Sequence, residues 1–370
     1  MVARPRAVIV SASIGAGHDT TARNLARALD GHGYAVEVHD FLDLLAGPLG
    51  RLVRGAYAGQ LRVAPRTWGW TLRLLERHPA PVHRLSWRAA GSATARLLAD
   101  PPAVVVSTYP LASQVLGTLR RRGELAAPVA AFLTDMSVHP LAIADGVDRY
   151  LALHGVAAEQ ARALGAAWVR PCVPAVDPAF RHRPAPAEVA ELRARFGLPA
   201  TGPLAIVAAG SWGVGDVVHT VRDVAATGLA VPVTVCGRNV RLRQRLAAEG
   251  AGTVLGWVDD MAGLMHACDV LVQNAGGMMS LEAMAAGLPV LGYRCLPGHG
   301  QTNAAALEHA GLVPWVRDPG ALPDALRWAL SGPVPPAGQA WHGAPAPADL
   351  IMELAPRLST AETALVPVAR

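Results

Sequence analysis

Asn274-Ala-Gly-Gly-Met-Met-Ser-Leu-Glu282-Ala-Met-Ala-Ala-Gly-Leu-Pro-Val290 decides the fold. Before it, Val270-Leu-Val-Gln273 is a short apolar strand. Asn274 to Gly277 is a tight turn of small residues. Met278 to Ala286 consists of good helix formers, Gly287 stops them, and Pro289-Val290-Leu291 opens the next strand. The unit is strand, glycine turn, helix, strand. Glycines at a helix N-terminus let backbone N–H groups approach an anion, which the helix dipole also favours. Glu282 falls within the first two turns, where a carboxylate can accept hydrogen bonds from a sugar diol. Phosphate at the turn and ribose at Glu282 describe a nucleotide-sugar site. An ordinary βαβ turn with a glutamate on the helix dipole describes the same letters.

Working outward, the second half repeats this grammar. Leu204-Ala-Ile-Val-Ala208 is a strand followed by a glycine turn, Ala209-Gly-Ser-Trp-Gly-Val-Gly215, and a helix from Asp216. Val231 to Val235 is a strand leading into Cys236-Gly-Arg-Asn239. Thr253 to Leu255 is followed by Gly256-Trp-Val-Asp-Asp260 and a short helix from Met261 to Ala267. Leu296-Pro-Gly-His-Gly-Gln-Thr-Asn303 is a polar glycine loop. The first half opens likewise. Ala7 to Ser13 is a continuous apolar strand of parallel-sheet character. Ile14-Gly-Ala-Gly-His18 is a glycine turn, after which Asp19 or Thr20 can cap a helix. Residues 34–40 are a strand ending at Asp40. Ala103 to Ser107 and Val129 to Leu133 are strands, the latter running into the polar loop Thr134-Asp-Met-Ser-Val-His-Pro140. Pro171, Pro174, Pro178, Pro184 and Pro186 form a linker. The expected division is 1–172, 185–332, and a Pro-rich spacer with a last helix over 333–370. Two similar βα halves point to two Rossmann-like α/β domains facing a cleft.

Composition bounds the function. The 370-residue chain is 52% hydrophobic and 16% charged, enough for two large cores and unlike a disordered chain. Its four cysteines are far apart, so neither a disulfide framework nor a zinc site is expected, and a reducing cytoplasm fits. No stretch reaches the roughly 18 apolar residues of a spanning helix. All the basic residues are arginine. Nine of them, Arg51, Arg54, Arg62, Arg66, Arg73, Arg77, Arg84, Arg88 and Arg96, lie in 47–98 with Tyr57, Trp68, Trp70 and Trp87 among them and one acid, Glu76. This reads as basic amphipathic helices for an anionic membrane surface. Solvated helix faces over a core are the plainer reading. No nucleic-acid motif is present.

Two side chains stand out as chemistry. His18 follows the glycine turn at a strand's C-terminal end, and histidine is the residue type suited to a general base near neutral pH. Asp135 sits in a loop at a strand C-terminus, where α/β sites are built. A base at Asp135 would need its pKa raised by burial; otherwise it would orient His18.

The ordered motifs Gly15-Ala-Gly-His18, Gly210-Ser-Trp-Gly213, Cys236-Gly-Arg-Asn239, Gly256-Trp-Val-Asp-Asp-Met261 and Asn274-Ala-Gly-Gly277 to Glu282 resemble GT-B glycosyltransferases. The similarity is to the monogalactosyldiacylglycerol synthase branch and the related peptidoglycan lipid-intermediate GlcNAc transferase, over roughly residues 5–330. The resemblance implies inverting transfer from a UDP-sugar, used as substrate with no cofactor, to a lipid, lipid-linked or natural-product hydroxyl at the membrane surface. It assigns Glu282 to the ribose, Gly276 and Gly277 to the diphosphate with Ser211, and Gln301 and Asn303 to the donor sugar. Gly15, Gly17, Gly210, Arg238, Trp257, Val258, Met261, Asn274, Met278, Ser280 and Gly298 complete the donor side it implies. His18 or Asp135 is the implied base. The family's last loop often reads Pro-Gly-Gln-Glu, and here it is Pro297-Gly-His-Gly-Gln301. No Asp-x-Asp metal motif exists, so metal-independent transfer is expected. The rivals are a UDP-sugar 2-epimerase of the same layout, a nicotinamide oxidoreductase with Asp40 on the ribose, and a non-catalytic membrane-binding module.

Overall fold

The computed structural model describes residues 4–14, 16–63, 79–208, 210–250, 252–331, 341 and 343–355. Gly15, Trp68, Trp70 and the arginines between 64 and 78 lie outside them, as do the side chains of Tyr57 and Arg62.

The first sheet has six parallel strands. In chain order they are β1 (Arg6–Ser11), β2 (Ala35–Asp40), β3 (Val104–Ser107), β4 (Val129–Phe132), β5 (Arg149–Ala152) and β6 (Val169–Pro171). Their order across the sheet is β2-β1-β3-β4-β5-β6. The second sheet holds β7 (Leu204–Ala208), β8 (Val231–Val235), β9 (Thr253–Leu255), β10 (Val270–Gln273), β11 (Val290–Tyr293) and β12 (Trp315–Val316), in the order β12-β11-β10-β7-β8-β9. Strands β1, β3, β4, β7 and β10 are buried along all or nearly all their length, which is why they read as unbroken apolar runs.

In each sheet the chain starts centrally, winds one way, then returns to the other side of its first strand. The switch lies between β1 and β3 in one sheet and between β7 and β10 in the other. Ligands of open α/β sheets bind outside the strand C-termini at such points. Three of the four strands at these switches run into a glycine turn named above, Ile14 to His18, Gly210 to Gly215 and Asn274 to Gly277, and β3 runs into Thr108-Tyr109.

The helices are α1 (Ala16–Gly31), α2 (Leu49–Val63), α3 (Pro79–Leu97), α4 (Pro110–Arg121), α5 (Gly155–Ala163), α6 (Pro186–Arg195), α7 (Val217–Ala226), α8 (Val240–Glu249), α9 (Met261–Ala267), α10 (Met278–Ala286), α11 (His299–His309), α12 (Leu322–Ser331) and α13 (Pro347–Met352). Among the described residues no helix is long and apolar enough to cross a membrane.

Three expectations are corrected. Helix α1 starts at Ala16, not after His18, so His18 lies in its first turn; Gly17 is accommodated there because the backbone is already helical. Asp40 does not face a ribose. It accepts hydrogen bonds from Ser13, from the Leu42 N–H and from Arg54, and caps the short turn Phe41–Leu44. The last helix, expected within 333–370 after a Pro-rich spacer, runs from Pro347 to Met352 and returns to the first sheet. Leu350 and Ile351 are buried, Arg149 donates to the Leu350 carbonyl at 2.7 Å, and Trp341 Nε1 donates to the Leu153 carbonyl at 2.6 Å.

Candidate active site

His18 is fixed at the first switch point. Its Nδ1 lies 2.7 Å from the Thr108 carbonyl oxygen, at the end of β3. A carbonyl only accepts, so Nδ1 carries the proton and Nε2 of the neutral ring holds the lone pair. Thr134 Oγ1 lies 3.1 Å from the same nitrogen, and the Tyr109 ring meets the imidazole edge-on at 5.5 Å between centroids. The ends of two strands, β3 and β4, thus hold the imidazole that follows β1.

Asp135 follows Thr134. Burial pushes its carboxyl up, but the imidazoles of His299, His18 and His139 more than offset this and hold it at about 2. Asp135 is therefore ionised at neutral pH. The raised pKa that a base at this position would need is not found. Its Oδ1 lies 3.0 Å from Nε2 of His299, which comes from the other sheet's side of the cleft. Alongside, Ser137 donates to Asn303 Oδ1 through its N–H at 2.9 Å and its hydroxyl at 2.8 Å.

The second switch point is built from three turns. Asn274 Nδ2 donates to the Val214 carbonyl at 2.8 Å, tying the turn after β10 to the one after β7. Gly213 takes a φ of +57° against Cys236, where a Cβ would come within 2.5 Å of the carbonyl oxygen. Only glycine fits both demands. Gln273 Oε1 accepts from the N–H groups of Ala275 and Gly276, so the side chain before the turn shapes it. Gln273 Nε2, Asn274 Oδ1 and Ser280 Oγ are buried with no hydrogen-bond partner. Gly277 precedes α10 without a side-chain cap, leaving the N-terminal N–H groups of that helix to other acceptors.

The two switch points meet. A Cβ on Gly17, in α1, would lie 3.8 Å from Cβ of Met278, the first residue of α10. Two helix N-termini therefore converge on one gap.

Beside it opens a cleft of about 420 Å³. Gly210, Ser211, Trp257, Val258, Met261 and Glu282 line one wall; Thr20, Arg23, Asn24 and Arg27 of α1 line the other, with Asp177 from the linker. Burial, then Asp177, raises the Glu282 carboxyl to about 7. Arg238 lies outside this lining, its guanidinium over the Trp257 ring at 4.5 Å. Asn303 is buried under the interdomain bridge. Gln301 and Gly298 line a different opening of about 630 Å³ with His139, Gln160, His299 and Trp315.

The sequence did not single out the α1 wall. Its signal was there: Thr20, Arg23, Asn24 and Arg27 have the i, i+3, i+4, i+7 spacing of one helix face. His299 was noted only as a departure from a motif, and its partner is 164 residues away.

Two facing Rossmann-like domains, each with a switch point at the cleft, have the architecture of the GT-B fold. Solved structures of that class agree. MurG from Acinetobacter baumannii matches over 94% of this chain and 99% of its own, at 16% identity and a TM-score of 0.54. Anabaena HepE, solved with UDP-glucose, matches over 95% of this chain and 98% of its own, at 14% identity and 0.58. In sequence, residues 18–167 match the model of monogalactosyldiacylglycerol (MGDG) synthase, and 205–331 that of glycosyl transferases group 1. A processive diacylglycerol beta-glucosyltransferase of Bacillus thuringiensis is 24% identical over 356 residues, covering 86% of this chain and 84% of that one. The chain is an enzyme of GT-B fold, similar over residues 18–167 to monogalactosyldiacylglycerol synthase and over 205–331 to the group 1 glycosyl transferases.

Proposed function

We propose that the enzyme moves a hexose from a UDP-sugar to a hydroxyl of a diacylglycerol-type lipid, with inversion, without a metal or cofactor, at the cytoplasmic membrane surface. The observation that carries this reading is the apposition of the first turn of α1, which carries His18 in its Nδ1–H tautomer, with the N-terminus of α10, Gly17 against Met278. His18 Nε2 takes the proton of the acceptor hydroxyl as its oxygen attacks the anomeric carbon. The bond from that carbon to the UDP oxygen breaks, and the diphosphate keeps the electron pair. The N-termini of α1 and α10 stabilise that charge. Glu282 holds the ribose diol beside Ser211 and Trp257.

The names of relatives support the two substrates: HepE was solved with UDP-glucose, and the Bacillus proteins are called diacylglycerol glucosyltransferases. For the membrane, Leu52 and Leu85 are 63% and 64% exposed on α2 and α3, next to the exposed Arg51, Arg84 and Arg88. Trp87 instead packs inward, with the Arg122 guanidinium 4.9 Å from its ring.

The test is a UDP-sugar panel with diacylglycerol vesicles, with and without chelator. A glycolipid of inverted anomeric configuration, formed equally in chelator, is expected. Epimerisation of UDP-GlcNAc with no acceptor would replace this reading with the 2-epimerase. Vesicle binding without any turnover would replace it with the non-catalytic module.

A further inference from the structure

The wall of α1 that lines the cleft opposite Glu282 carries two guanidinium groups, Arg23 and Arg27. Their surroundings differ. Arg27 forms an ion pair with Asp177 of the linker and donates to Asn24 Oδ1 at 3.1 Å. Asn24 Nδ2 in turn donates to the Ala175 carbonyl at 2.8 Å. Arg27 therefore belongs to the seam between α1 and the linker. Arg23 forms no ion pair among the described residues. Its hydrogen bond, from Nη2 to Thr20 Oγ1 at 3.2 Å, stays within its own helix. Helical side chains lean towards the helix N-terminus. This bond brings the guanidinium back along α1, towards the gap where Gly17 meets Met278.

The acids around the cleft are committed elsewhere. Asp177 is held by Arg27 and Asp260 by Arg195, and Asp259 accepts from the Trp257 indole at 2.9 Å. Burial, then Asp177, raises the Glu282 carboxyl to about 7. Asp19, four residues before Arg23, is raised by burial and by Asp40, with Arg23 opposing, and it lies 3.5 Å from the Ser11 hydroxyl. Arg23 is thus the lining cation without an ion pair, beside two converging helix N-termini. A guanidinium offers five N–H donors in a fork that fits two phosphate oxygens at once. One of those donors is used on Thr20.

We propose that Arg23, steered by Thr20, binds the diphosphate of the nucleotide from the α1 side of the cleft. This rests on the cleft being the nucleotide site. The nucleoside is then held by one domain, through Glu282, Ser211 and Trp257, and the phosphates by both. The helix that carries His18 also grips the leaving group.

The experiment is calorimetric titration of wild type, R23Q and R23K with UDP and with uridine, with E282Q as control for the nucleoside end. Arg23 is exposed, so R23Q retains the fold, checked by an unchanged Tm. R23Q should bind UDP about tenfold more weakly and uridine as wild type does. R23K, a point charge without the fork, should recover part of the UDP affinity. Added salt should narrow the difference between wild type and R23Q for UDP. Unchanged UDP binding in R23Q, or an equal loss of UDP and uridine, overturns the inference, while weakened uridine binding in E282Q leaves the nucleotide reading standing. A wild type that binds neither UDP nor uridine overturns that reading, and this inference with it.

Discussion

Nδ1 of His18 sits 2.7 Å from the carbonyl oxygen of Thr108, and this one hydrogen bond selects the tautomer whose basic nitrogen is Nε2. Without it the ring would be free to present Nδ1–H or Nε2–H to the acceptor. His18→Ala should lower kcat by about a hundredfold or more, the usual range for a general base. UDP should still raise the Tm of the variant by the wild-type amount. Turnover close to wild type would mean that another group takes the proton.

Glu282 supplies a pH signature. Its carboxyl is raised to about 7 by burial and Asp177 in the ligand-free protein. Two diol hydroxyls donate best to the ionised form. Uridine, which has no titrating phosphate, should bind more tightly as pH rises from 6 through 7 and level off above 8. Glu282→Gln should weaken uridine binding about tenfold at pH 8 and flatten this dependence. The sign for stability is the opposite: a carboxyl with a raised folded pKa destabilises as pH climbs from its ordinary value towards 7. Calorimetry on both proteins separates the two effects.

The turn after β10 depends on a single backbone conformation. Gly276 has a φ of +67°, and a Cβ there would lie 2.9 Å from Cβ of Asn303. Gly276→Ala should cost about 1–2 kcal/mol or more through strain and overlap. A lowered Tm together with loss of the UDP-induced rise is the expected scan. An unchanged response to UDP would remove this turn from the donor site.

The membrane reading is tested on residues far from the cleft. Replacing Arg51, Arg84 and Arg88 by Gln should weaken co-sedimentation with anionic vesicles by on the order of 1 kcal/mol per residue. The difference should shrink in high salt. Leu52→Ser and Leu85→Ser should weaken binding at any salt. Equal partition of all variants would leave these helices as solvated faces.

Much of this was legible in the letters, for definite reasons. Buried parallel strands such as Val104–Ser107 and Val270–Gln273 announce themselves by continuous apolar runs. Glycines with positive φ, such as Gly210 and Gly213, mark turns no other residue makes easily. What stayed hidden depends on long-range partners. Strand β12 is two residues long and exists because Gly292 and Tyr293 pair with it. Helix α13 has no local reason to rejoin the first sheet; Leu350 and Ile351 find their burial there. The depressed carboxyl of Asp135 follows from imidazoles brought by α1 and α11, which no local pattern announces.

The meeting of Gly17 with Met278 has one more consequence. Each helix N-terminus carries roughly half a positive charge, so an empty, closed cleft sets two like poles against each other. An anion between them turns repulsion into attraction. A nucleotide diphosphate bound there, as proposed above, would be the counter-ion between the two domains. The expected consequence is an ordered reaction, donor first, acceptor second and glycosylated product before the spent nucleotide, which product-inhibition kinetics would read.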